Sequence, residues 1–279
     1  MKETDAALRC PVCRDELSRV TDGPSRSLRC PGRHTFDVAR EGYVHLAPGG
    51  TKHTGDTAEM VALRAGFLGA GHYDFLSDAL AAAAEPFLAT SGALVVEAGA
   101  GTAYHLARVL EAAPAAVGLA LDVSKPALRR AARAHPRVAA ALVDTWARWP
   151  LAEACAAVVL DVFAPRNAAE FRRVLAPGGA LLVVTPQTDH LVELVTALGL
   201  LTVDPSKDER VEEGLGGAFE RVSSMSLRRT LALTPEEARA LARMGPSGHH
   251  RPSGTAAASA AERVAITAAV RLEVWRPRG

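Results

Sequence analysis

The chain has 279 residues, enough for one large domain and a small one, and 48% of them are hydrophobic, so a substantial core is available. A formal net charge of +1 excludes whole-molecule attraction as the basis of nucleic-acid binding. The chain has no apolar run long enough to cross a bilayer and no charged-then-apolar start with a cleavage site, so no membrane association and a cytoplasmic location are expected.

Residues 1–40 show little hydrophobic periodicity but hold three of the four cysteines, Cys10, Cys13 and Cys30, followed by His34. The spacing C-x2-C…C-x3-H offers two ligand pairs, and a hairpin that brings them together closes a tetrahedron around zinc. A closed Cys3His set is structural, and it holds together a segment too small to bury its own core. A small N-terminal zinc-ribbon domain is therefore expected. Between residues 23 and 53, Arg26, Arg29, Arg33, Arg40 and Lys52 stand against Asp37 and Glu41, a modest basic patch suited to RNA phosphates. The fourth cysteine, Cys155, lies in an apolar stretch and reads as a small core residue.

Residues 41–57, with Pro48, Gly49, Gly50 and Gly55, read as a linker, and 58–88 as helix broken at 69–73, so 41–90 is assigned as linker and helical segment. From 91 to 279 short apolar runs alternate with helical patterns. Strands are expected at 93–98, 117–123, 138–144, 156–163 and 180–185, with helices at 102–113, 124–135 and 168–175 between them. Ser124 is the expected N-cap of the second, with Pro126 in its first turn. After a helix at 190–198, antiparallel strands at 224–233 and 264–275 flank a helix at 235–244. A parallel sheet finished by an antiparallel hairpin is α/β, the pattern of a class I (Rossmann-like) methyltransferase domain.

Val95-Val96-Glu97-Ala98-Gly99-Ala100-Gly101-Thr102 reads as a strand running through a glycine turn into a helix, with Gly99 and Gly101 letting backbone approach a ligand. A dinucleotide fingerprint places glycine or alanine at position 104, where this chain has Tyr104. The acid instead stands at Glu97, which suits a cationic ligand without phosphate, such as the sulfonium and ammonium of S-adenosylmethionine. Asp122 ends the second strand 21 residues beyond Gly101 (122 − 101), where a carboxylate accepts from ribose hydroxyls. Asp144, at the end of the third strand, is assigned to the adenine amino group.

These residues resemble the RlmA-type 23S rRNA guanine-N1 methyltransferases, which include the tylosin- and mycinamicin-resistance enzymes of macrolide producers. The resemblance rests on the Cys/His ligands, Thr35-Phe36-Asp37, Glu41-Gly42-Tyr43-Val44, Gly55-Asp56-Thr57-Ala58-Glu59-Met60, Gly71-His72-Tyr73, Leu121-Asp122-Val123-Ser124-Lys125, Phe163-Ala164-Pro165 and Arg173-Val174-Leu175-Ala176-Pro177-Gly178-Gly179. It implies zinc at Cys10, Cys13, Cys30 and His34, and contacts to S-adenosylmethionine from Tyr73, the Gly101-Thr102 turn and His190. It also implies a substrate in a hairpin loop of domain II of 23S rRNA and a homodimer that widens the RNA cleft. Stretches 133–137 and 161–167 are closer to the macrolide-resistance subtype. Two residues depart from the family pattern, Glu97 in place of aspartate and Ala103 in place of glycine.

Guanine N1 carries a proton at neutral pH and lies on the Watson–Crick edge, so the base must be unpaired or extruded, and its proton passes either to a side chain or to water. The loop after the fourth strand supplies the candidate catalytic residues: Asp161 as base or as acceptor for the guanine amino group, Phe163 as a stacking surface, and Arg166 for charge on O6 or a phosphate. The alternative is a small-molecule methyltransferase of antibiotic biosynthesis, which leaves the zinc ribbon without a purpose.

Overall fold

The computed structural model describes residues 4–20, 26–47, 49–50, 53–198, 204, 206–245 and 263–279. Lys52 and the alanine-rich tract at 252–262 lie outside them. Three short strands, β1 (Ser18–Val20), β2 (Ser27–Arg29) and β3 (Thr35–Asp37), pair antiparallel in the order β1-β2-β3.

The main sheet has eight strands. In chain order they are β4 (Tyr43–His45), β5 (Leu94–Ala98), β6 (Val117–Asp122), β7 (Val138–Leu142), β8 (Ala156–Val162), β9 (Leu175–Pro186), β10 (Phe219–Leu233) and β11 (Val264–Pro277). Across the sheet the order is β10-β11-β9-β8-β5-β6-β7-β4. The pairs from β4 through β9 are parallel, whereas β11 runs antiparallel to β9 and β10 antiparallel to β11. Every residue of β5, β6 and β7 is buried, the signature of parallel strands covered on both faces.

Helices α1 (Ala58–Gly69), α2 (Asp74–Ala84), α3 (Tyr104–Ala112), α4 (Lys125–Ala131) and α8 (Pro235–Met244) put Phe67, Leu80, Leu106, Leu128 and Leu241 into the cluster on one face. Helices α5 (Ala168–Val174) and α7 (Lys207–Gly216) cover the other face with Phe171, Val211 and Leu215. Helix α6 (Val192–Leu198) follows β9. Local chemistry sets the helix starts: the Thr57 hydroxyl accepts from Met60 N–H at 3.2 Å, and Thr234 and Glu237 form a reciprocal capping box. Ser124 caps α4 as expected, accepting from Ala127 N–H at 3.3 Å.

The ribbon shares the second cluster, where Leu8, Leu17 and Leu28 are buried together with Leu119, Leu121, Trp149 and Val159. Arg9 N–H donates to Pro150 O and Ala152 N–H to Ala7 O, each at 2.8 Å, so the β7–β8 connection pairs with the ribbon backbone.

The structure differs from the sequence reading at several elements. The stretch read as linker contributes β4, an edge strand on β7 that three residues are too short to announce. Helix α7 was not anticipated, because its sequence KDERVEEGLG carries few apolar residues. Strand β10 begins at Phe219 rather than 224. Helix α3 begins at Tyr104, since Thr102 and Ala103 stay in the turn. Cys155 is partly exposed, packing against the second cluster from its margin. Among the described residues no helix is long and apolar enough to cross a membrane.

Candidate active site

Chain order reverses at β5, which has β6 on one side and β8 on the other, and open α/β sheets bind ligands in the crevice at such a point. The turn leaving β5 is built for close approach. Gly99 and Gly101 take φ of +62° and +55°, and a Cβ on Gly99 would lie 2.8 Å from the Ala164 Cβ. The glycine turn therefore sits directly against the loop that follows β8. Ala103 occupies the left-handed region at φ +57°, a conformation that suits the glycine found in the family pattern.

Glu97 lies beneath this turn with 2% of its surface exposed, and its Oε2 is buried without a hydrogen-bond partner among the described residues. Desolvation pushes its carboxyl up to about 8; the Leu106 N–H opposes the shift and the Asp122 charge adds to it. An uncharged acid held this way lacks a cation. Asp122 Oδ2 accepts from Gly101 N–H at 2.8 Å and Oδ1 from Ser124 N–H at 2.7 Å. Burial raises its carboxyl against these two bonds. Each carboxylate oxygen keeps a further lone pair for a hydroxyl. An orphaned carboxyl oxygen, a turn that excludes Cβ atoms and a strand-end carboxylate together fit S-adenosylmethionine.

The remaining predicted residues lie in the turn itself, before α2 and at the ends of β7, β8 and β9. Thr102 is buried in the turn, and Tyr73 is 4% exposed in the cluster that also holds Ala100, Ala103 and Val162; burial raises its phenol. Asp144 follows β7, and its carboxylate faces His53 Nδ1 at 3.2 Å. His190 accepts from Ala269 N–H at 3.2 Å through Nδ1, and its ring lies 5.9 Å from that of Phe163. Asp161 is fully buried at the end of β8, beside Ala98 in the sheet register. Phe163 is 46% exposed with φ of +53°, an outlier for a bulky residue of the kind that concentrates at functional sites. Arg166 is half-buried on the same loop.

Sequence reading missed three residues here. Arg64 of α1 reaches the glycine turn, its Nη1 3.5 Å from where a Cβ on Gly101 would stand. Trp146 is 52% exposed and lies 5.7 Å from the His53 ring. Asn167 Nδ2 donates to the carbonyls of Thr145, Trp146 and Ala147, each at 3.1 Å, tying that loop to the β8 loop. Only Trp146 carried a signal, an aromatic two residues after a strand-end acid.

In the ribbon, Cys10, Cys13, Cys30 and His34 bring one ligand atom each within 4.8 Å of one another. Cys13 Sγ lies 3.5 Å from Cys30 Sγ, and His34 Nδ1 lies 3.3 Å from Cys30 Sγ and 3.6 Å from Cys10 Sγ. Tetrahedral zinc with ordinary bond lengths separates its ligand atoms by about 3.6–3.8 Å, so the four fit that ion. Left-handed Arg14 (φ +70°) and Arg33 (φ +66°) turn the two knuckles that present them.

A glycine turn at the switch point of this sheet, with a Cys3His ribbon packed on one face, defines a class I methyltransferase carrying a zinc module. The family model described as "RlmA, N-terminal", a zinc ribbon, matches residues 8–55. The chain is 56% identical to a protein of Micromonospora griseorubida described as a 23S rRNA (guanine-N(1)-)-methyltransferase, over 97% of each chain. It is 50% identical to the 23S rRNA (guanine(748)-N(1))-methyltransferase of Streptomyces fradiae, over 97% of this chain and 96% of that protein. Among solved structures, the complex of the Haloferax volcanii Trm112 methyltransferase activator with a methyltransferase matches with a TM-score of 0.52 at 17% identity, covering 81% of this chain and 100% of the other. The chain belongs to the 23S rRNA (guanine-N1-)-methyltransferase family.

Proposed function

We propose that this protein transfers the methyl group of S-adenosylmethionine to N1 of a guanine in 23S rRNA, in a hairpin loop of domain II, and thereby confers macrolide resistance in the cytoplasm of its host. The observation that carries the reading beyond family membership is the end of β8: an exposed, left-handed Phe163 stands two residues beyond a fully buried Asp161, on the loop whose Ala164 abuts the glycine turn.

When bound, the cofactor supplies a methyl group activated by positive sulfur. The chain's part is alignment, which supplies several kcal/mol by holding nucleophile and electrophile in line. Glu97 takes the cofactor's ammonium, and Asp122 takes its ribose. Tyr73, Thr102 and His190 would contact the cofactor, and Asp144 would meet its adenine amino group. A guanine extruded from its loop stacks on Phe163, which directs its Watson–Crick edge toward the crevice floor. There Asp161 acts as base and takes the proton that N1 gives up. Arg166, on the same loop, faces the charge that develops on O6.

The zinc ribbon extends the RNA surface. Arg26, Arg29, Arg33 and Arg40 are exposed on it and reach loop phosphates, and a second copy of the chain completes the cleft.

Primer extension on 23S rRNA treated with protein and S-adenosylmethionine tests the proposal, since N1-methylguanine blocks pairing. A reverse-transcriptase stop beside a guanine of that hairpin is expected. No stop anywhere in 23S rRNA, with the cofactor shown to bind, would overturn the assignment in favour of a small-molecule substrate.

A further inference from the structure

Glu97 and Asp122 are assigned to the cofactor's cationic groups and ribose, but no residue is assigned to its α-carboxylate. Arg64 answers that description. It lies on α1, outside the methyltransferase sheet, and its Nη1 and Cδ stand 3.5 and 3.8 Å from where a Cβ on Gly101 would be. Its guanidinium is anchored on one side only: Nη2 bonds to Asp56 Oδ2 at 2.8 Å and donates to Met244 O at 2.6 Å. Nε is buried and has no hydrogen-bond partner among the described residues.

The anchor itself is fixed in the fold. The Ser124 hydroxyl donates to Asp56 O at 2.7 Å, and Gly55 packs so closely on Ser124 that a Cβ there would lie 2.8 Å from the Ser124 backbone nitrogen. The segment before α1 is thus pinned to the residue two beyond Asp122, and the arginine it orients points at the glycine turn. Burial of an arginine N–H without an acceptor is costly, and the guanidinium fork matches a carboxylate.

We propose that Arg64 binds the α-carboxylate of S-adenosylmethionine, its free donors facing that anion while Glu97 faces the adjacent ammonium. The turn between them then reads the amino-acid end of the cofactor as a zwitterion. The proposal rests on the methyltransferase reading of this crevice and adds to it a residue and a ligand group.

Calorimetric titration of the full chain with S-adenosylmethionine and with its decarboxylated form, which keeps the ammonium and sulfonium, tests it by binding alone. A charge-assisted pair predicts that the wild-type chain prefers the carboxylated ligand by roughly 10- to 100-fold. In Arg64→Met that preference falls to within about threefold while affinity for the decarboxylated form stays unchanged. Arg64→Lys, which keeps the charge but not the fork, retains a preference of a few-fold and decides the matter if the methionine variant does not fold. An undiminished preference in the variants overturns the proposal, as does equal loss of both ligands, which would make Arg64 a support for the Asp56 segment only. A wild-type chain that binds neither ligand defeats the methyltransferase reading itself, an outcome distinct from both.

Discussion

Replacing Glu97 by glutamine isolates the energetic consequence of burying an acid under the glycine turn. The carboxyl titrates near 4.5 when solvated and at about 8 in the folded protein. Between those values the unfolded chain gives up a proton that the folded chain keeps, so wild-type stability falls as pH rises. The advantage of the folded state is complete below 4.5 and lost by about 8. A shift from 4.5 to about 8 corresponds to about 5 kcal/mol over the whole window, and to about 3 kcal/mol by pH 7. Glutamine keeps the shape, stays neutral at every pH and escapes this loss. Scanning calorimetry of both proteins from pH 5 to 8 without ligand should show Glu97→Gln gaining on wild type as pH rises, by about 2–4 °C per kcal/mol. Saturating S-adenosylhomocysteine, which brings an ammonium, should then stabilise the wild type far more than the variant. A melting difference that is flat across pH 5–8 would refute the reasoning.

Four further outcomes follow from the geometry. Because the cation ionises Glu97, binding of S-adenosylmethionine at pH 7 should release close to one proton, measured by titration calorimetry in buffers of different ionisation enthalpy; zero release would mean that Glu97 does not meet the ammonium. Phe163→Gly relieves a left-handed bulky residue worth about 1 kcal/mol of strain, so the melting temperature should hold or rise, while single-turnover methylation of rRNA falls about tenfold or more through the missing stacking surface. Chelation of zinc should lower the melting temperature of the whole chain in a single transition, because Leu8, Leu17 and Leu28 belong to the same buried cluster as the sheet; a separate early transition would contradict this. Neutralising Arg26 and Arg29 together should flatten the salt dependence of hairpin binding, by about 0.7 in log–log slope for each phosphate that no longer meets an arginine, read by fluorescence anisotropy.

Much of the site was legible because each residue sits at a fixed offset from a local pattern. Glu97, Gly99 and Gly101 belong to one strand and its turn, and Asp122 and Asp161 close apolar runs that could only be buried strands. The zinc ligands were readable from spacing, since two thiolates two residues apart have few other uses beside a second Cys/His pair. Elements that depend on distant partners were not readable. Strand β4 exists because β7 offers it a free edge, and α7 is held by Val211 and Leu215 against a cluster whose other members come from both ends of the chain. Arg64 looked like any polar residue on an amphipathic helix, and its meaning lies in Gly101, Asp56 and Met244, which no spacing rule connects to it.

By itself the sequence determined the chemistry on offer: a closed thiolate-rich metal set, a glycine turn with a nearby acid suited to a cation, and an alternating α/β order that brings successive strand ends to one edge. Such features follow from short-range sterics and ligand geometry, which a few adjacent residues satisfy alone. Tertiary structure decided the state of those groups. Glu97 becomes a neutral acid with an orphaned oxygen only when the sheet and α3 exclude water from it. Phe163 is exposed on a loop whose next residue, Ala164, leaves no room for a Cβ on Gly99. Burial and close approach are sums over residues remote in the chain, and so no local reading of the sequence contains them.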